Sequence, residues 1–152
     1  MVAAAQRGLG RRQGDGIDLP DHNECLHAGR VAAALRFMEL NAHRHELDAA
    51  AIAHGIGYSR TRLYEAFATR NTTVMAALRE IRLQRARRLI EQSPRLHVGV
   101  LSWRCGFADA SDFSKRFRAR FGLSPSKWHR QAWTMPARLE TLAATDTSVR
   151  IV

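Results

Sequence analysis

Apolar side chains recur at helical spacing through the middle of the chain, and no stretch alternates convincingly over strand length. Val31, Ala34, Leu35 and Met38 form a first amphipathic stripe. Leu47, Ala50, Ala51 and Ile52 begin a short second helix that stops at Gly55-Ile56-Gly57. Ser59 suits the N-cap of a third, whose apolar face is Leu63, Ala66 and Phe67. Thr73 caps a long helix through Ile90, ended by Ser93-Pro94. Along it Val74, Ala77, Leu78 and Ile81 make one stripe, and Leu83, Ala86 and Ile90 another. A short helix from about Val98 to Cys105 stops at Gly106, and Asp109 caps the next, with Phe113 and Phe117 inward. Ser124-Pro125, a cap followed by proline at the first helical position, starts the last. The pattern predicts an all-α fold of about seven helices.

Two parts of this pattern repeat. Ile52-Ala53 is followed by Gly57, then Leu63 and Phe67; Leu101-Ser102 is followed by Gly106, then Phe113 and Phe117. The small residue precedes the glycine by four positions in both, and the glycines are 49 residues apart. This is helix-turn-helix logic. A small side chain lets two helices approach, and a glycine permits the positive φ of the turn. The residues beyond bury one face of the second helix and leave its other face open. Thr73 to Ile90 spans 18 residues, roughly 27 Å at an α-helical rise. Successive major grooves on one face of DNA lie ~34 Å apart, a gap that such a helix and the thickness of two motifs can bridge.

Charge sharpens this picture. The 152 residues carry 24 Lys or Arg against 14 Asp or Glu, a net of +10. Residues 1–24 have a net of −1, residues 132–152 of 0, and residues 25–131 of +11. The excess therefore lies in the helical part, as for a folded domain that meets a polyanion, most often nucleic acid. Hydrophobic residues at 45% exclude disorder throughout. The longest apolar runs, such as Val31 to Leu35, are far too short for a membrane span, and with Gln6 and Arg7 breaking the N-terminal Ala stretch no signal peptide is expected. Cys25 and Cys105 cannot form a disulfide framework or a zinc set. A soluble cytoplasmic protein without membrane contact or cofactor is expected. Four glycines fall within residues 6–16, and Ala, Thr and Ser follow Pro136, so both ends are expected to be appendages.

The chain resembles the AraC/XylS-type transcriptional regulators. Gly106-Phe107, Asp109, Ser111, Phe113-Ser114-Lys115-Arg116-Phe117, Phe121-Gly122 and Ser124-Pro125 match that family's C-terminal signature almost position by position. Arg82-Leu83, Ala86 and Leu89-Ile90 resemble its linker helix, and Ile52-Ala53, Gly57, Ser59, Leu63 and Phe67 its first motif. The resemblance implies a flexible segment over 1–28 and a DNA-binding domain over 29–131, with a tail over 132–152. Within the domain, subdomain one spans about 29–72, the linker helix about 73–91 and subdomain two about 93–131. It also implies a regulator, expected to activate through RNA polymerase, that binds double-stranded DNA as a monomer or dimer at the nucleoid. Only 28 residues precede the match, too few for the effector domain common in the family. The expectation is a stand-alone regulator or the DNA-binding fragment of a longer one.

By matching positions, the first recognition helix would present Arg60, Thr61, Arg62, Tyr64 and Glu65, and the second Ala110, Ser111, Ser114 and Lys115, with Arg118 nearby. The chemistry agrees. Arg60, Arg62 and Arg118 can reach phosphates. Lys115 can donate to guanine, Glu65 can accept from cytosine N4, and Thr61 can touch a thymine methyl. Tyr64 suits a sugar or phosphate, or partial burial. Four positions depart from the family pattern. Glu65 is acidic, Ala110 offers no hydrogen bond, His97 caps poorly, and Ser102 is tolerable if its hydroxyl bonds back to a carbonyl.

Two other readings remain. Glu65 and Ala110 would suit a partner-binding homologue that has lost DNA recognition. Cys25, near His22 and His27, would be needed for a cysteine-dependent DNA alkyltransferase, although no catalytic motif surrounds it, and Cys105 belongs in the core. His43 and His45 lack a third metal ligand and suit a solvated loop. Trp103, Trp128 and Trp133 read as core or as packing of the last helix.

Overall fold

The computed structural model describes residues 22–134, and every regular element among them is helical. In chain order these are α1 (His22–Asn41), α2 (Ala49–Gly55), α3 (Arg60–Ala68), α4 (Val74–Gln92), α5 (Val98–Arg104) and α6 (Ala110–Phe121). A last helix, α7, occupies residues 125–134. This is the all-α, seven-helix arrangement that the apolar spacing predicts.

Side-chain caps set most of the starts. The oxygens of Ser59, Thr73 and Asp109 accept from the amides of Arg62, Ala76 and Asp112 at 3.3, 3.1 and 2.6 Å. Ser124 does the same for Lys127 at 3.4 Å. His97 makes no side-chain cap at the start of α5. The second helix differs from expectation. Its cap is Asp48, bonded to the Ala51 amide at 2.8 Å, so Leu47 falls in the loop before it, where it is buried.

The helices enclose two separate cores. Val31, Ala34 and Met38 of α1 pack with Ile52, Leu63, Phe67, Val74 and Leu78. Leu83, Ala86 and Ile90 pack with Leu101, Cys105, Phe113 and Phe117. α4 gives its first half to one core and its second half to the other. The boundary falls at Arg82, because Ile81 packs on the first cluster and Leu83 lies in the second.

Three expectations need correction. Residues 22–28, expected within a flexible segment, are the first turns of α1. Val31 is the first buried residue of that helix, so its early turns carry no apolar stripe by which the sequence could reveal them. α7 continues three residues into the expected tail, held there by the Trp133 indole donating to the Ile90 carbonyl at 3.2 Å. Trp103 is not core but 61% exposed, and stacks on His45. The glycine-rich N-terminal segment through residue 21 and the tail from residue 135 lie outside the described residues.

Candidate nucleic-acid interface

The two repeated motifs close on the same backbone geometry. Each first helix ends with paired hydrogen bonds around a left-handed glycine, a Schellman turn. In the first, the Gly57 amide donates to His54 and the Tyr58 amide to Ala53, at 3.1 and 2.9 Å. In the second, Gly106 donates to Trp103 and Phe107 to Ser102, at 3.0 and 2.9 Å. φ is +71° at Gly57 and +83° at Gly106, the conformation predicted for both. Ala53 and Ser102 are buried as the small residues at the crossing. The Ser102 hydroxyl donates to the Gly99 carbonyl at 2.9 Å, which satisfies it as expected.

Beyond the glycines the motifs diverge by one residue. Ser59 caps α3 two positions after Gly57, whereas Asp109 caps α6 three positions after Gly106. The insertion is Ala108, and from the caps onward the repeat runs at an offset of 50. Ser59 thus corresponds to Asp109, Leu63 to Phe113 and Phe67 to Phe117.

This correspondence aligns the exposed faces. Helical spacing sets Thr61, Glu65 and Ala68 opposite the buried Leu63, Ala66 and Phe67 of α3. It likewise sets Ser111, Lys115 and Arg118 opposite Phe113 and Phe117 of α6. All six are exposed. Arg60 and Arg62 flank the first face, both exposed, and Tyr64 is 51% exposed beside it. Ala110 and Ser114 are half-buried at the edge of the second, and the Ser114 hydroxyl donates to the Ala110 carbonyl at 2.8 Å. Every sequence-predicted residue is on α3 or α6, but Ser114 already spends its proton within the helix. Ala68, which sequence reasoning missed, occupies the position equivalent to Arg118. Only the 50-residue offset identifies it.

Electrostatics separates structural arginines from those on the faces. Arg87 and Arg116 pair along their own helices with Glu91 and Asp112, at 2.9 and 2.6 Å. Arg120 of α6 reaches Glu80 of α4 at 2.8 Å, and this guanidinium bond holds the Glu80 carboxyl below its ordinary range. Arg82 lies between the two cores, where burial lowers its pKa. The Arg60, Arg62, Lys115 and Arg118 side chains carry the positive charge of the two recognition helices, and Glu65 opposes it.

Among the described residues no three His, Cys, Asp or Glu gather as a metal site, and no helix is long and apolar enough to cross a membrane. Cys105 is fully buried, and burial pushes its thiol up to about 11.

A family model described as a helix-turn-helix domain matches residues 52–131. Over 96 residues, 63% of this chain, the sequence is 34% identical to the transcriptional activator NphR of a Rhodococcus species, and the match covers 28% of that protein. The chain spans between 7% and 31% of the curated relatives it matches. A transcriptional regulator from Chromobacterium violaceum, described as having an AraC-type DNA-binding domain, superposes with a TM-score of 0.64 at 28% identity, covering 71% of this chain and 96% of that one. The DNA-binding domain of AdpA, solved in complex with a target DNA, gives 0.56 at 26% identity, covering 69% and 90%. With the paired motifs, the shared linker helix and the family match all in the same stretch, the chain belongs to the AraC-type helix-turn-helix family.

Proposed function

We propose that this chain is a sequence-specific regulator of transcription that sets α3 and α6 into successive major grooves of duplex DNA. The observation that carries this reading is the pair of equivalent, exposed polar faces on two helices joined by one 19-residue helix, within a segment of net charge +11. α4 is about 28 Å long at an α-helical rise, which with the motifs' own thickness suits the ~34 Å groove repeat. The AdpA domain, similar in fold, is bound to target DNA, which supports the same partner here. Lys115, Ser111, Thr61 and Glu65 would read base edges, and Arg60, Arg62 and Arg118 would hold phosphates. Tyr64 would add a sugar or phosphate contact, and Ala110 and Ser114 would pack at the groove wall.

Activation through contact with RNA polymerase is the regulatory mode we favour, in line with the similar NphR being a transcriptional activator. Such a regulator would act on the nucleoid in the cytoplasm, as a monomer or through a dimerising region. An alkyl-transfer enzyme is disfavoured: no catalytic motif surrounds Cys25, the cysteine it would need. Cys105 is buried in the second core with its thiol pushed up to about 11, away from the thiolate that acts as nucleophile.

Selection of bound duplexes from a random library tests the proposal. Enrichment of one motif with two half-sites about one helical turn apart is expected, and so is an affinity that falls steeply with salt. No enrichment, with salt-independent binding, would sink it.

A further inference from the structure

The two cores share α4, and a single helix joining two units leaves them free to flex about it. A second connection prevents this. The loop between α1 and α2 crosses to the middle of α4 and to the second motif, and is held there at three places: one on α4 and two on the motif. Arg82, at the boundary between the cores, donates from Nε to the Ala42 carbonyl at 2.9 Å and from a terminal nitrogen to the Arg44 carbonyl. Gly106 lies against the same carbonyl. A Cβ there would come within 2.2 Å of the Ala42 oxygen and 2.7 Å of Arg82 Nε. His45 stacks on Trp103 of α5, with ring centroids 3.7 Å apart. Its Nδ1 is buried and makes no hydrogen bond, so the imidazole is held at that end by stacking.

Gly57 supplies the internal comparison. It holds the same turn position with a similar φ, yet a Cβ there would meet nothing within 4 Å. The turn alone therefore accounts for glycine at 57. At 106 the approach of subdomain one imposes a second demand.

We infer that Arg82 is a positioning residue that locks the α1–α2 loop onto the second motif, with Gly106 and the His45–Trp103 stack completing the clamp, and thereby fixes the spacing and angle between the two recognition helices. For a duplex partner, the reading on which this consequence rests, a clamped pair accepts one gap between half-sites and rejects others. Arg82 thus contributes to specificity without touching a base.

Spin labels at Ala68 and Ala119, both exposed on the two recognition helices, report their separation by pulsed electron paramagnetic resonance in a Cys25→Ser background. The full chain should give one narrow distance distribution. Arg82→Gln should broaden it at least twofold with helicity retained. Trp103→Ala, at an exposed site that cannot open a core, should broaden it as well. Gly106→Ala should broaden or shift it, whereas Gly57→Ala should not. Unchanged widths in folded Arg82→Gln and Trp103→Ala overturn the clamp.

Unlabelled protein then selects from duplexes with variable gaps. The parent should return one gap, and Arg82→Gln the same half-sites over several gaps. A single gap retained by Arg82→Gln overturns the role in specificity. If the parent selects no sequence while the distances behave as stated, the DNA reading fails and the clamp stands. If the parent selects a motif while the variants stay narrow, the clamp fails and the DNA reading stands.

Discussion

Glu65 and Lys115 occupy the same position on the two recognition helices, each six residues after its N-cap and each exposed at the centre of the outward face. An acid at one centre and a base at the other make the pair of faces chemically unequal, although their scaffolds nearly repeat. If α3 and α6 each read a half-site as proposed, the site should be asymmetric, because the two halves would meet opposite charges. Lys115→Ala should remove about 1–3 kcal/mol of discrimination at one base pair of one half-site. Glu65→Gln should relax preference in the other half-site and tighten binding to all duplexes by removing a like-charge penalty. Titrations of a selected duplex and its single-base variants, followed by anisotropy, measure both.

Arg60 stands at the first turn of α3, exposed and off the centre of the face. As a phosphate contact it should act on every sequence alike. Arg60→Ala should weaken binding uniformly and reduce the slope of log affinity against log salt by ~0.9. A loss confined to one base pair would instead assign Arg60 to base reading.

Helix starts offer a stability test in both directions. Asp109 caps α6 through the Asp112 amide, whereas His97 leaves α5 without a side-chain cap. Asp109→Ala should cost about 1 kcal/mol, and His97→Ser should gain a comparable amount at most. Urea unfolding at constant m-value resolves the two changes.

Glu80 links α4 to α6 through Arg120, and the bond lowers its pKa from the ordinary 4.5. A group with a depressed folded pKa adds stability that is present above its unfolded value and lost as pH falls through the folded one. The contribution of this pair should therefore be present at neutral pH and disappear below about pH 4.5. Glu80→Gln should flatten that part of the acid limb in a pH series of thermal melts. The pair is solvent-exposed, so the effect should be small.

Cys105 shows the opposite sign. Burial raises its pKa from 9.0 to about 11, so above pH 9 the unfolded chain gains a thiolate that the folded one resists. Stability from this group is complete below that value and declines as pH rises toward about 11. With a thiol reagent at pH 8, exposed Cys25 should react in the native protein, and Cys105 only after unfolding.

Sequence made the scaffold legible wherever an apolar stripe or a cap marked it. The division of α4 into two stripes, the turn glycines and the caps at Ser59, Thr73 and Asp109 all follow from local rules of spacing and hydrogen bonding. The start of α1 was invisible because its first turns are exposed, so no periodicity marks them. Trp103 was misplaced because an aromatic beside a core helix is usually buried, and only the fold brings His45 across to cover it. In the sequence Arg82 is one of five arginines on its helix and part of the linker-helix resemblance, with nothing to set its contacts apart. Its partners, Ala42 and Arg44, are backbone carbonyls 40 and 38 residues away, and residue type gives no sign of them. On the two faces, sequence named the residues but not their pairing, which depends on one inserted alanine.

α4 spends roughly nine residues in each core, and a peptide helix shorter than ~12–15 residues is marginal in water. If either core melts, the half-helix left in the other loses the turns that continue it and begins to fray. The two subdomains therefore cannot melt independently: heat or denaturant should dismantle residues 22–134 in a single cooperative transition, and neither motif cut out alone should keep its shape.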